Sequence, residues 1–332
     1  MNNKAVALFS GGLDSILAIK IMLEQGIEIK ALHFSSAFCD SKSKSEHKYL
    51  AKSTDYLKVP VEVMEITEEF MDIIKNPRYG RGSNMNPCID CRIFTFKKAR
   101  AYMEDIGASF IVTGEVVGER PMSQTRHAIS LIEKKSGLDG LIVRPLSAKL
   151  LEPSLPEVSG IVMREKLFDI QGRRRDIQIS LAERFNIKEY PNPAGGCLLT
   201  DKRFSDKLKD LLSHGAYNHP EDIEILKTGR HFKISDCAKL IVGRDEKENN
   251  ALIGFARPGD HVFDVINIPS PIALARGNMN NKDRCLAASI VARYSDASTN
   301  KIEVSYKIIP SEVIFNLTVK PATEITIKSI RI

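Results

Sequence analysis

The most constraining feature of this sequence is the run FSGGLDS at residues 9–15. It follows the apolar run 5–9, which predicts a buried parallel strand, and it precedes residues 16–25, whose apolar positions recur at helical spacing. Two glycines between a strand and a helix let backbone N–H groups approach a phosphate chain, and the new helix directs its positive dipole end to the same place. The order strand, glycine loop and helix therefore predicts a phosphate-binding site.

The polar residues of this loop indicate the ligand. Ser10 and Ser15 add hydroxyl donors beside Gly11 and Gly12. The lysine of the GxxxxGK[ST] loop is absent, and Asp14 instead suggests a carboxylate near phosphate-bound Mg²⁺. The SGGxDS pattern resembles that of the ATP pyrophosphatases, and this resemblance implies that these five residues hold the pyrophosphate part of ATP. Asp14 is also predicted to be catalytic, through the phosphate-bound Mg²⁺. The alternative is a plain turn between a strand and a helix.

Further strands predict where the loop lies in the fold. The runs 29–34 and 61–66 are predicted as strands, and residues 45–57 as a helix. Residues 110–115 are predicted as a further strand with the turn at its carboxyl end. Alternating strands and helices predict an α/β fold with a doubly wound parallel sheet. The resemblance implies the adenine nucleotide alpha hydrolase-like version of that fold. Ligands then bind at the carboxyl ends of the strands.

Three residues outside the loop are predicted to complete the ATP site. His33 ends the second strand and is predicted to face the adenine, with an ordinary packed histidine as the alternative. The blocks TGE at 113–115, SQT at 123–125 and RPL at 144–146 resemble the catalytic domain of the tRNA 4-thiouridine synthetases. This resemblance implies that Gly114 and Gln124 bind the nucleotide.

The chain departs from that family after the third block. The family's pattern continues into an Asp-Lys pair, where this sequence has Leu150 and Leu151. Lys149 is the nearest cation, at a different offset. The role of that cation is therefore left open by the sequence.

Two cysteines lie at the head of a helix predicted from about residue 92 to 106. A helix N-terminus and the adjacent Arg92 predict lowered thiol pKa values, which favour thiolates for nucleophilic attack or metal ligation. The loop NPCIDCRIFTFK at 86–97 resembles that of the tRNA 2-thiouridylases, another ATP pyrophosphatase family. The resemblance implies that its second cysteine, Cys91, is catalytic and that Cys88 lies beside it.

A third cysteine follows the run PNPAGG at 191–196. In the thiolating families a cysteine in such a loop is the partner of the earlier one, which implies a catalytic role for Cys197. Three thiolates can hold a [4Fe-4S] cluster with one iron open, so Cys88, Cys91 and Cys197 are predicted to ligate a cluster. The alternative is a persulfide route, in which one cysteine carries a persulfide and a second cysteine forms a disulfide with it, so that sulfide is released.

The remaining chain is predicted to be helical and then of mixed α+β structure. A helix is expected over 162–186, with three arginines at 173–175 that either face solvent or contact RNA phosphates. Domains are predicted at 1–200, 201–226 (a helical linker) and 227–332. In the last domain, strands are expected at 240–243, 252–255, 261–265, 302–309 and 325–332. One helix is expected there, at 283–294.

Two blocks of this last domain, GRHF at 229–232 and VGRDEKENN at 242–250, resemble the NFACT RNA-binding module. This resemblance implies RNA binding, with a purely structural or dimer-forming module as the alternative. Of the other cysteines, Cys39 and Cys237 have no comparable context. Cys285 lies in an apolar helical run and is predicted to be in the core.

Composition and apolar run lengths bear on the partners and the cellular location of the protein. The chain has 332 residues, a net charge of +6 and a pI near 8.9, which permit a polyanionic partner. No apolar run is long enough for a membrane span, and the N-terminus lacks the pattern of a secretory signal. We therefore expect a cytoplasmic protein without a membrane partner.

These features together predict an ATP-dependent tRNA thiouridine synthetase that forms AMP and pyrophosphate. The resemblances imply tRNA as substrate and either sulfide or a sulfur-donor protein, such as a cysteine desulfurase, as the sulfur source. One alternative is an ATP pyrophosphatase that amidates or sulfurates a small molecule. The other is a binding protein for ATP and RNA without turnover. The modified uridine and the oligomeric state are not determined by the sequence.

Overall fold

The computed structural model describes residues 1–38, 56–190, 197–213 and 219–332. The chain forms two compact units, Met1–Asp201 and Lys202–Ile332. The separate helical linker at 201–226 stays a prediction. No helix in the described part of the chain is long and apolar enough to cross a bilayer.

The first unit is built on five strands: β1 (Lys4–Leu8), β2 (Glu28–Ser35), β3 (Val61–Glu65), β4 (Phe110–Thr113) and β5 (Ile142–Val143). They are all parallel, in the order β3-β2-β1-β4-β5. The chain moves outward from β1 to β3 and then returns to the other side of β1. The point at which the direction reverses lies between β1 and β4, where such sheets bind ligands.

Helices cover both faces of this sheet: α1 (Leu13–Leu23), α2 (Thr67–Lys75), α3 (Cys88–Asp105), α4 (Arg126–Ser136), α5 (Leu155–Val158) and α6 (Asp176–Arg184). Alternate residues of β1 point to opposite faces. Ala5 and Ala7 belong to the same core cluster as residues of α1 and α6, whereas Val6 and Leu8 belong to the cluster of α3 and α4. The predicted doubly wound sheet is confirmed.

The second unit contains an antiparallel sheet of β6 (Arg230–Ser235), β7 (Ala238–Val242), β8 (His261–Val265), β9 (Ala273–Gly277), β10 (Ile302–Ile308) and β11 (Ile314–Val319). The strand order is β11-β10-β8-β9-β7-β6. Its helices are α7 (Lys202–Ser213), α8 (Glu221–Glu224), α9 (Glu246–Gly254), α10 (Asn281–Arg293) and α11 (Glu324–Ile330). Apolar residues of α10 share the main core with the sheet, and Leu252 of α9 packs with Ile241 and Leu274. The predicted second α+β unit is confirmed.

Three element predictions were wrong. The helix expected over 162–186 is only α6, because Gly172 adopts φ +81° and Arg175 is the N-cap. The strand expected at 252–255 lies largely in α9, which Asp245 caps by accepting a hydrogen bond from the Glu248 N–H. The strand expected at 325–332 is mostly α11, capped in the same way by Thr323. In both last cases a side-chain cap outweighs an apolar pattern typical of a strand.

Two smaller expectations also need comment. Cys285 is exposed on α10 instead of lying in the core, because the helix turns the neighbouring Ala287 and Ala288 inward. The helix expected over 45–57 falls on residues that lie almost entirely outside the described part of the chain, as does Cys39.

Candidate nucleotide and cysteine site

The loop between β1 and α1 is shaped by its own glycines and hydroxyls. Gly11 has φ +75°, a conformation that L side chains rarely adopt. Ser15 Oγ donates to the Gly12 carbonyl at 2.7 Å, and Ser10 Oγ donates to Ser15 Oγ at 3.3 Å. Gly12 is the N-cap of α1 and provides no capping side chain, so the first N–H groups of the helix keep their capacity to bind an anion.

Gly114 holds this loop against the end of β4. A methyl group built on Gly114 would lie 2.5 Å from the carbonyl carbon and oxygen of Asp14 and 2.6 Å from the Ser15 nitrogen. Real Cβ atoms do not make such contacts with backbone, so only glycine permits this approach. The predicted residues Gly114, Asp14 and Ser15 therefore meet at the reversal point between β1 and β4.

Asp14 lies in a buried polar cluster contributed partly by α6. Its Oδ2 is 3.6 Å from Nη2 of Arg175, and both side chains are 19% exposed. Asp14 Oδ1, Arg175 Nε and both amide atoms of Gln178 are buried without a hydrogen-bond partner. Burial raises the pKa of Asp14 above its ordinary value, although Arg175 opposes the shift. Burial and the charge of Asp14 likewise raise the pKa of Glu119.

Buried polar atoms without partners indicate a ligand, because native proteins pair nearly all such atoms. Here they include a carboxylate oxygen, which suits a divalent cation, and a guanidinium N–H beside an uncapped helix start, which suits phosphate. Gln178 adds a donor and an acceptor and is fully buried. The residues present therefore fit ATP with Mg²⁺.

The other two predicted nucleotide residues make contacts within the protein. His33 Nδ1 lies 2.9 Å from the carbonyl oxygen of Phe9, immediately before the phosphate loop. Gln124 is buried, and its Oε1 accepts a hydrogen bond from the Arg120 N–H at 2.9 Å. His33 thus lies at the loop, whereas Gln124 shapes the turn of its own segment. Contacts of either residue with ATP stay predictions.

The cysteine pair begins α3, one turn earlier than expected. Cys88 is the first residue of the helix, and the Cys91 N–H donates to the Pro87 carbonyl at 2.8 Å. Arg92, in the same turn, forms a 3.0 Å ion pair with Glu115. Glu115 is 1% exposed and also binds Arg144, again at 3.0 Å. Burial alone would raise the pKa of Glu115, but the two guanidinium groups lower it.

The expected lowering of the thiol pKa is wrong for Cys88. Burial raises the pKa of this thiol, and Arg120, the Asn86 side chain and Arg92 compensate only in part. Arg92 also forms an ion pair with the buried carboxylate of Glu115, which reduces the effect of the Arg92 charge on the thiol pKa. The helix start positions the pair but does not lower the pKa of the Cys88 thiol.

The segment that follows Cys197 is bonded to the segment that precedes Cys88. The Met85 N–H donates to the Leu199 carbonyl at 3.0 Å, and Asn84 Nδ2 donates to the Thr200 carbonyl at 2.8 Å. Cys88, Cys91 and Cys197 are all half-buried. Across the described ranges, no three His, Cys, Asp or Glu side chains are gathered in a way that could hold a metal ion. The glycines expected beside Cys197, at 195–196, lie outside those ranges.

Sequence reasoning missed Arg175, Gln178 and Glu115 as members of the site. The sequence does not distinguish among the three arginines at 173–175, yet Arg174 is 93% exposed while Arg175 faces Asp14. Lys149, the nearest cation after the third block, instead donates to the Glu165 carbonyl on the surface. A signal was available for Glu115, because a charged residue directly after a buried strand lies at the binding end of a parallel sheet.

Comparison with known proteins agrees with this geometry. Residues 1–149 match the family described as thiamine biosynthesis protein (ThiI), and residues 229–331 match the NFACT protein RNA binding domain. The first unit therefore carries a ThiI-type PP-loop domain. The second carries an NFACT-type RNA-binding domain.

Individual relatives have related names. The tRNA-specific 2-thiouridylase MnmA 2 of Thermoanaerobacter sp. (strain X514) is 24% identical over 76% of this chain and 75% of its own length. The tRNA-specific 2-thiouridylase MnmA of Sulfurimonas denitrificans is 26% identical over 35% of this chain, which spans only 36% of that relative. A crystal structure of a 4-thiouridine synthetase–RNA complex with bound ATP aligns at 20% identity over 68% of this chain and 51% of its own, with a TM-score of 0.38.

Proposed function

We propose that this protein is an ATP-dependent tRNA thiouridine synthetase. One observation carries the proposal: adjacent residues at the end of β4 connect the phosphate loop and the cysteine helix. Gly114 contacts the backbone of Asp14 and Ser15, and Glu115 binds Arg92, which follows Cys91 directly. An enzyme that activates an oxygen with ATP and replaces it with sulfur needs these two chemistries side by side.

The reaction solves a leaving-group problem. A uridine carbonyl oxygen attacks the α-phosphate of ATP, the bond to pyrophosphate breaks, and the adenylated carbon then accepts sulfide while AMP leaves. Mg²⁺, when bound with ATP, neutralises charge that develops on the phosphates. In the proposal, the open N–H groups of α1 and the guanidinium of Arg175 bind the departing pyrophosphate, and Asp14 binds the cation.

Sulfur handling is assigned to Cys88, Cys91 and Cys197. Their donor type suits a [4Fe-4S] cluster with one open iron, but the described side chains are not gathered around a metal position. The alternative uses Cys91 and Cys197 as a persulfide and disulfide pair. With a cluster, the sulfur source would be sulfide. In the persulfide route, Cys91 takes the outer sulfur of a donor-protein persulfide, and the donor thiolate leaves. Attack of the Cys197 thiolate on the Cys91 persulfide then forms the disulfide and releases sulfide, and an external dithiol reductant restores both thiols.

The substrate assignment rests on both family matches. Relatives of the first unit are named as tRNA-modifying enzymes, and the second unit matches an RNA-binding domain. We propose that the NFACT-type domain binds the tRNA whose uridine reacts in the ThiI-type domain. A small-molecule substrate would leave that second domain without a role.

The direct test is mass spectrometry of tRNA nucleosides from a deletion strain and from the same strain complemented with the wild-type gene. We expect one thiolated uridine to disappear on deletion and to return on complementation. Purified protein should form AMP and pyrophosphate from ATP only when unmodified tRNA from the deletion strain is present. An unchanged nucleoside profile, or turnover with a small molecule instead of tRNA, would reject the proposal.

A pair of neighbouring arginines provides a matched test of the ATP site. Replacement Arg175→Ala should weaken ATP binding by about tenfold or more, because a buried charge-assisted contact to phosphate is lost. Replacement Arg174→Ala, at a side chain that is 93% exposed, should change ATP affinity by less than about twofold. Isothermal titration with a non-hydrolysable ATP analogue measures both. Equal effects of the two replacements would exclude Arg175 from the site.

A further inference from the structure

The two edges of the second sheet differ. At the β6 edge, Phe232 forms an antiparallel bridge with Arg331, and the Ile332 N–H donates to the His231 carbonyl at 3.0 Å. The chain terminus thus covers that edge. At the other edge, β11 has a partner on one side only, and within the described part of the chain the sheet ends there.

The open edge lacks the usual protection against pairing. Strand β11 reads IFNLTV, six residues without a charge, a proline or a glycine. Apolar side chains at and just before it are exposed: Val313 by 58%, Ile314 by 66% and Phe315 by 43%. Natural sheets normally place charges or prolines at such an edge.

Backbone geometry shows which groups point outward. The Ile266 N–H donates to the Glu303 carbonyl and the Ile309 N–H to the Asp260 carbonyl, so odd-numbered residues of β10 bond toward β8. Even-numbered residues therefore bond toward β11, where Tyr306 pairs with Phe315 and Val304 with Leu317. The backbone groups of Ile314, Asn316 and Thr318 consequently face away from the sheet.

We propose that β11 pairs antiparallel with β11 of a second copy of this chain, with the two Asn316 residues at the two-fold axis. This register places Ile314 opposite Thr318 of the second copy, so all outward-facing backbone groups pair. It also sets Phe315 opposite Leu317 and, beyond the strand, Glu312 opposite Lys320. Both charged residues are exposed. The strand is therefore complementary to itself in backbone, apolar contact and charge.

The charge pair allows a reciprocal test by sedimentation velocity of the full chain from about 1 to 100 µM. We expect a concentration-dependent dimer, because a single strand pair is a small interface. Glu312→Lys and Lys320→Glu should each raise the dissociation constant by about fivefold or more, since like charges then face each other. The double variant should restore the wild-type value.

Two variants distinguish a contact between copies from the loss of a contact within one copy. Glu312 also binds Lys307 of its own strand pair at 3.0 Å, and the double variant cannot restore that contact. Its rescue therefore reports the contact between copies. Glu324→Lys, which reverses an exposed charge on α11, should leave dimerisation unchanged. A monomer at every concentration, or single reversals without effect, would overturn the proposal.

Discussion

Replacement Asp14→Asn is expected to abolish pyrophosphate release while the protein remains folded. The amide has nearly the same shape, so the loop and its contact with Gly114 should persist. What disappears is the negative charge of a largely buried carboxylate beside Arg175. Loss of one such preorganised electrostatic contact typically lowers the turnover number by about 10²-fold or more. Pyrophosphate release in the presence of tRNA measures the effect.

The stability of this variant should move in the opposite direction to its activity. Burial raises the pKa of Asp14, so the folded state disfavours the carboxylate, and the neutral amide should leave the melting temperature unchanged or increase it. Asp176→Asn is the matched control, because that carboxylate begins α6 near the site but is 77% exposed. It should retain wild-type pyrophosphate release. Full activity of the Asp14 variant would remove this residue from the proposed mechanism.

The central part of the fold could be predicted because its signals are local. A buried strand, two glycines and a helix are adjacent in sequence around residues 9–15, and β1, β2 and β4 all appear as apolar runs. Where the prediction failed, a hydrogen bond of a single side chain decided the structure. Thr323 and Asp245 each cap a helix that contains apolar residues in a pattern typical of a short strand.

Helix α4 was not predicted, and it too is bounded by local caps. Thr125 accepts a hydrogen bond from the Ala128 N–H at its start, and Gly137 ends it with φ +69°. Both caps are encoded locally in the sequence, and together they predict a helix over residues 126–136.

The site was predictable only as far as it is continuous in sequence. The phosphate loop and the cysteine pair are each contained in a short run, whereas Arg175 reaches Asp14 because α6 packs beside α1. Nothing local distinguishes Arg175 from Arg173 or Arg174. Their difference arises from tertiary packing, which buries one arginine and leaves Arg174 in solvent.

The second large effect concerns the three cysteines. Two hydrogen bonds join the segment before Cys88 to the segment after Cys197, which ties the third cysteine to the segment that carries the other two. If they ligate a [4Fe-4S] cluster, anaerobically purified protein should be brown and contain about four irons per chain. Replacing any one of them with Ala should remove colour, iron and thiolation together, whereas Cys285→Ala, at an exposed thiol on α10, should preserve all three. Absorption spectra and iron analysis provide readouts that do not depend on turnover.

The persulfide route predicts a different pattern. Colourless protein would be active, Cys91→Ala and Cys197→Ala would abolish thiolation, and Cys88→Ala would be tolerated. Bound zinc would give colourless protein that carries metal. Active protein without iron would reject the cluster but not the proposed synthetase, because the proposed adenylation step precedes both sulfur routes. The Cys88 variant therefore decides between them, since only the cluster gives this half-buried thiol a chemical role.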